Sequence, residues 1–118
     1  MSDADTFVTS YLVDDDILVL KLHGRFDDKT AAEFDAEIEK RFAEGAHKII
    51  IDCSLLGYVS SYGIGKLISL QGKLRKKGGE VKLSAVQSMV ADVFRIVHLD
   101  RIFAIYGDIE FARESFYE

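Results

Sequence analysis

The sequence has few of the residues that cross-link or interrupt a chain. Its 118 residues include one cysteine, no proline and no tryptophan. A single cysteine cannot form an internal disulfide, which excludes a disulfide-rich secreted scaffold. Average usage predicts about six prolines in this length, so their absence leaves little room for a linker. The length predicts one domain over residues 1–118 that buries roughly two-thirds of its unfolded surface.

Positive charge and long apolar runs are also scarce. Fifteen Lys and Arg residues stand against twenty Asp and Glu residues, which gives a formal net charge of −5. A nucleic-acid partner requires a basic face, so this balance argues against one. No apolar run approaches about 18 residues, and residues 1–5 are acidic where a signal peptide would be basic. We therefore expect a soluble, cytoplasmic protein without direct membrane insertion.

Strand and helix signals alternate along the chain in the order β-β-α-β-α-β-α-β-α, which predicts an α/β sheet with parallel crossovers. The predicted strands cover residues 6–11, 17–23, 48–53, 81–83 and 103–106. The predicted helices cover residues 30–43, 61–77, 88–98 and 109–116. Gly24 is expected to end the second strand, and residues 54–60 are expected to form a loop.

Local patterns add detail to these elements. Thr30 and Glu33 match a capping box at the start of the first helix. The strand at 48–53 is expected to be buried on both faces, whereas the strand at 81–83 alternates between apolar and polar. Helical spacing predicts that the buried residues of the first three helices include Phe34, Ile38, Phe42, Ile64, Leu67, Ile68, Leu74, Met89, Val93, Phe94 and Val97.

The most unusual segment is residues 57–65, Gly-Tyr-Val-Ser-Ser-Tyr-Gly-Ile-Gly, where the central strand meets the second helix. Loops at the carboxyl ends of parallel strands are where α/β sheets usually place function. On one interpretation, Ser60 or Ser61 merely caps the helix, worth about 1 kcal/mol. On the other, a serine here is phosphorylated and adds about −1.5 to −2 charges at the positive end of the helix dipole. Gly63 and Gly65 would allow another chain to approach the backbone closely.

Other chemical motifs are weak in this sequence. Gly63-Ile64-Gly65 begins like a dinucleotide fingerprint, but Ile68 stands where the third glycine would fall. Neither Ser60 nor Ser61 lies in a Gly-x-Ser-x-Gly elbow, and nothing in the sequence orders the three histidines for a serine hydrolase. Cys53 is expected to be an inert buried thiol. We therefore expect no enzymatic activity, no cofactor and no metal site.

From about Ile17 to Phe116, the chain resembles the STAS domain, and specifically the bacterial anti-sigma factor antagonists. The segments that carry the resemblance follow one another in the expected order: Gly24 to Asp27, Ile49 to Asp52, Tyr58 to Gly65, Lys76 to Val81 and Leu99 to Phe103. The resemblance implies a STAS-like fold, a mixed and mostly parallel sheet of 4–5 strands with about four α-helices.

The resemblance also implies a partner-switching regulator of transcription. In that family, the unphosphorylated antagonist binds an anti-sigma factor, itself a serine kinase, and so frees the sigma factor. Phosphorylation of the antagonist by this kinase ends the binding, and a metal-dependent serine phosphatase reverses the modification. An alternative within the same fold is an unphosphorylated STAS scaffold, or an accessory subunit of a sensory or membrane transport complex. A monomer or weak dimer is expected.

The family pattern at the phosphorylation site is Asp, the phosphorylated Ser, Ser or Thr, and Gly. Carried over by position, the resemblance implies Ser61 as the phosphorylated residue, with Ser60 as the alternative. Ser60 stands where the family has Asp, and Tyr62 stands where it has Ser or Thr. The implied partner-binding surface comprises Asp27, Ser60, Ser61, Tyr62, Gly63 and Gly65.

Overall fold

The computed structural model describes residues 6–118, so the acidic segment 1–5 lies outside the described residues. Within residues 6–118 the strands are β1 (Val8–Val13), β2 (Ile17–Phe26), β3 (Lys48–Val59), β4 (Glu80–Ser84) and β5 (Ile105–Tyr106). The α-helices are α1 (Ala31–Ala43), α2 (Ser61–Lys76), α3 (Ser88–Ile96) and α4 (Ile109–Ser115), with a short 3₁₀ turn at Leu99–Arg101. The predicted order of elements is confirmed.

The five strands form one sheet in the order β1-β2-β3-β4-β5. β1 runs antiparallel to β2, and the remaining neighbours are parallel. The turn between β1 and β2 passes through Asp14 and Asp15, which both have positive φ angles, 52° and 68°. The fold is therefore the mixed, mostly parallel α/β sheet that the resemblance implied.

Helices cover the two faces of the sheet unequally. The larger apolar cluster joins one face to α1, α2 and α3, and its buried members include Leu20, Phe34, Ile51, Leu74 and Phe94. A smaller cluster on the other face joins Ile17, Val19 and Ile50 to Ala112 of the short α4. The β3 residues 49–53 are buried throughout, as parallel strands covered on both sides should be.

β2 and β3 are longer than the sequence predicted. Gly24, with φ +86°, lies inside β2 instead of ending it, and the β2–β3 register shifts on both sides of it. β3 continues to Val59 through residues that were predicted to be a loop. The two strands therefore end side by side, and Ser60 alone separates β3 from α2.

The predicted capping box at the start of α1 is wrong, although the extent of the helix is correct. Thr30 precedes the helix without a side-chain cap. Glu33 instead turns to the edge strand, where its Oε2 accepts hydrogen bonds from the N–H groups of Phe7 (2.9 Å) and Val8 (2.8 Å). An edge strand has backbone groups without a neighbouring strand, and Glu33 satisfies two of them.

Several predicted burials also differ from the structure. Ile68, Met89 and Val97 are exposed, and α3 ends at Ile96, two residues early, because His98 adopts a left-handed conformation. The alternation expected in β4 fails because Lys82 is buried under α4. Its Nζ donates to Ser115 Oγ at 2.6 Å and lies 4.2 Å from the centre of the Phe116 ring.

Candidate functional site

The ends of β2 and β3 build one side of the candidate site. Phe26 is paired with Val59 in the parallel register. The Ser60 N–H then donates to the Phe26 carbonyl at 2.9 Å, which continues the pairing by one residue. The next residue of each strand follows at the same edge of the sheet, and Asp27 and Ser60 are thus placed beside each other.

Ser60 and Ser61 differ in what their hydroxyls do. Ser60 is the N-cap of α2, and its Oγ accepts a hydrogen bond from the Gly63 N–H at 3.2 Å. Ser61 is the first residue of the helix and is exposed. Within residues 6–118, its hydroxyl makes no hydrogen bond. The sequence left open which serine is the cap, and the structure assigns that role to Ser60.

Gly63 and Gly65 also have different roles. A Cβ atom on the buried Gly63 would lie 2.7 Å from the carbonyl oxygen of Phe26 and 3.0 Å from Cγ2 of Val59. Glycine is therefore required here so that α2 can pack against the ends of β2 and β3. A Cβ on the exposed Gly65 would meet nothing within 4 Å. Only Gly65 fits the expected role of leaving room for another chain.

Asp27 forms a tight turn before α1. Its Oδ1 accepts hydrogen bonds from the N–H groups of Lys29 (3.0 Å) and Thr30 (3.3 Å), and its Oδ2 lies 3.5 Å from Nε of Arg25. Partial desolvation raises the pKa of Asp27, but the hydrogen bonds from Lys29, Thr30 and Arg25 outweigh it and leave the pKa below its ordinary value. A fixed negative charge therefore stands beside the start of α2.

Lys66 is a feature of the site that the sequence analysis missed. Its Nζ is 2.7 Å from Oδ2 of Asp35 on α1 and 5.5 Å from the centre of the Tyr62 ring. The hydrogen bond to Asp35 raises the pKa of Lys66. The spacing of Tyr62 and Lys66 by four residues is a signal that could have joined these two. Nothing in the sequence pairs Lys66 with Asp35 on another helix.

The start of α2 carries a shallow depression of about 380 Å³, which is lined by Ser61, Tyr62, Gly65, Lys66 and Ser69. Tyr62 is about half exposed at its rim. The depression is open, and Lys66 is the charged residue in its lining. The depression therefore has an exposed serine at the start of α2 and one cation, which is paired with Asp35, in its lining.

The remaining candidate residues lie elsewhere. His23 Nε2 is 3.1 Å from Oγ1 of Thr9, and His47 Nδ1 is 3.3 Å from the carbonyl of Gly45. Cys53 is fully buried as predicted, and burial raises the pKa of its thiol to about 12. Among residues 6–118, no group of three or more His, Cys, Asp or Glu side chains is placed to hold a metal ion. No helix in the same range is long and apolar enough to cross a membrane.

The fold and the site together define a small α/β domain whose candidate site is an exposed helix start and not an enclosed pocket. The family model of the STAS domain matches residues 10–112. The chain belongs to the STAS domain family.

The chain is also similar to individual members of this family. BtrV of Bordetella bronchiseptica, which is named an anti-sigma factor antagonist, is 28% identical over 102 residues, covering 86% of this chain and 88% of BtrV. A Thermotoga maritima structure described in the same terms has a TM-score of 0.87 at 22% identity and covers 99% of this chain and 100% of its own. The Bacillus cell fate determinant SpoIIAA in its phosphorylated form has a TM-score of 0.73 at 20% identity, covering 92% of this chain and 97% of its own. The two structural likenesses show the shared fold.

Proposed function

We propose that this protein is an anti-sigma factor antagonist that is switched off by phosphorylation of Ser61. The observation that carries the proposal is the exposed hydroxyl of Ser61 in the first turn of α2. It stands at the position where the family pattern has the phosphorylated serine, in a chain whose relative BtrV is named an antagonist. We place the protein in the cytoplasm, as a monomer or weak dimer.

The partner is an anti-sigma factor that is also a serine kinase. In the switching step, Ser61 Oγ forms a bond to the γ-phosphorus of ATP, and the bond from that phosphorus to the bridging oxygen breaks to release ADP. The hydroxyl proton leaves to a base on the kinase. A metal-dependent phosphatase reverses the step, as water cleaves the O–P bond to give the serine hydroxyl and inorganic phosphate. The protein itself catalyses neither reaction.

The two serines are unequal as phosphate acceptors. Ser60 Oγ already accepts the Gly63 N–H, so a phosphate there would disturb the cap of α2. Ser61 lies outside that hydrogen bond, and a phosphate on it leaves the cap in place. The modified protein therefore keeps its fold and changes the surface that it offers. This difference favours Ser61 over the alternative, Ser60.

A phosphate on Ser61 would weaken binding through charge. It adds about two negative charges to a surface formed by Asp27, Ser60, Ser61, Tyr62 and Gly65, which the buried Gly63 holds in place. Within a packed interface these charges meet desolvation and like-charge repulsion. If each costs about 1.4 kcal/mol, affinity falls roughly a hundredfold.

Calorimetric titration with the cognate anti-sigma factor kinase tests the proposal. Ser61→Asp should bind about tenfold to a hundredfold more weakly than the wild type, and Ser61→Ala should bind as the wild type does without ATP. Mass spectrometry after incubation with kinase and ATP should find one phosphate on the wild type and none on Ser61→Ala. Ser60→Ala is the matched control, and it should still be phosphorylated.

Two results would overturn the phosphate switch. If both Ser61 variants bind equally well and no phosphate is added, the domain is a constitutive scaffold or an accessory subunit. If serine-reactive phosphonate probes label the native protein, the protein is a serine hydrolase and not a phosphate-switched antagonist.

A further inference from the structure

We propose that Lys66 exchanges partners when Ser61 is phosphorylated. Its ammonium group leaves Asp35 on α1 and pairs with the phosphate. This inference rests on the proposed function, because it takes Ser61 as the phosphate carrier. It adds a positioning residue that the resemblance did not supply, and it couples the modified helix start to a second helix.

Two observations on the position of Lys66 support the exchange. Ser61 and Lys66 line the same depression. Helical side chains lean toward the amino end of their helix, and the Lys66 ammonium does so here, since its Nζ is 5.5 Å from the ring of Tyr62, one turn earlier. The ammonium is therefore displaced toward the end of α2 that carries Ser61.

The contact that Lys66 would give up is weak. The side chains of Lys66 and Asp35 are 29% and 45% exposed, although Nζ and Oδ2 are only 2.7 Å apart. Ion pairs with this much solvent access contribute little. A phosphate offers about twice the charge of a carboxylate and three acceptor oxygens. The phosphate is therefore the stronger competitor for one ammonium.

Lys73 provides a matched control on the same helix. It lines the groove between α1 and α2 together with Asp35 and Lys66. It is absent from the lining of the depression that contains Ser61. Removing its charge changes the net charge of α2 as much as removing that of Lys66, without removing a cation from the Ser61 depression.

The experiment uses the full chain with phosphoserine installed at position 61 by genetic encoding, so that no kinase is needed. A ³¹P NMR titration then measures the second pKa of the phosphate, ordinarily about 6. Lys66→Met should raise this pKa by about half a unit relative to the Lys66 protein. Lys66→Arg should restore the lower value, and Lys73→Met should leave it nearly unchanged. Backbone NMR spectra of each variant establish that it is folded.

A double-mutant cycle tests the exchange itself. Asp35→Asn should lower the pKa of the phosphate more in the Lys66 protein than in the Lys66→Met protein, because only the former has an ammonium to release. Equal effects in the two backgrounds would show that Lys66 does not move between Asp35 and the phosphate. Equal shifts from Lys66→Met and Lys73→Met would also overturn the proposal.

The outcomes separate this inference from the proposed function. If no kinase modifies Ser61 but the titrations behave as expected, the proposed function fails and the coupling of Lys66 to position 61 stands. If the kinase modifies Ser61 but the titrations do not depend on Lys66, the proposed function stands and the exchange of partners fails.

Discussion

Gly63 of α2 lies directly against the backbone carbonyl of Phe26 at the end of β2. We expect Gly63→Ala to destabilise the protein by about 1–3 kcal/mol, since the added methyl must push α2 away from the sheet. The matched variant is Gly65→Ala, whose methyl enters open space and should stabilise the helix by up to about 1 kcal/mol. Urea unfolding measures both, and equal destabilisation would contradict the packing described here.

The two adjacent serines should contribute differently to the free energy of unfolding, which the same urea assay measures. Ser60→Ala removes the cap of α2 and should cost about 1 kcal/mol. Ser60→Asp should retain most of that stability, because Asp is an equally good cap. Ser61→Ala should change the free energy of unfolding by no more than about 0.5 kcal/mol. If Ser61→Ala costs more than Ser60→Ala, the assignment of the cap is wrong.

Asp14 should make stability depend on acid pH. Hydrogen bonds from Arg113 (2.9 Å) and Tyr117 (3.0 Å) hold the pKa of Asp14 below its ordinary value. A lowered folded pKa contributes stability that is present above the unfolded pKa, about 3.9, and is lost as pH falls through the folded pKa. Asp14→Asn should therefore be less stable than the wild type at pH 7. The difference should shrink from about pH 4 downward in parallel urea titrations, and a constant difference would contradict this linkage.

Cys53 should be unreactive in the native state. Burial raises the pKa of its thiol to about 12, so very little thiolate is present at pH 8. We expect Ellman's reagent to label no thiol in the native protein and one thiol in 6 M guanidinium. Fast native labelling at pH 8 would show that β3 opens locally around this residue.

The sequence predicted the order of elements because the spacing of apolar residues differs between the buried strands and the amphipathic helices. It placed the start of α2 correctly, since a serine followed by an amphipathic run is a local signal. It missed the last three residues of β2 and the second half of β3, because Gly24 and the irregular register beside it break the alternation. Arg25 pairs with Tyr58 across the two strands, and neither segment alone has a sequence pattern that predicts this pairing.

The other errors arose from tertiary contacts that override local patterns. Glu33 has the spacing of a capping residue, yet its partners in the fold are the N–H groups of Phe7 and Val8 at the start of the edge strand. The alternating pattern of β4 places Lys82 on a solvent face, but α4 covers it. The same limit applies to the candidate site, where Ser61 could be identified from its place in the chain. Asp35 and Lys66 are 31 residues apart in the sequence, so their pairing could be identified only from the folded structure.

The order of strands in the sheet has a consequence for how the protein is made. Each strand lies next to the strand synthesised just before it, so the sheet can grow in one direction while the chain leaves the ribosome. The contacts of Asp14 with Arg113 and Tyr117 instead span 99 and 103 positions. These contacts of the first hairpin can therefore form only after Arg113 and Tyr117 have been synthesised.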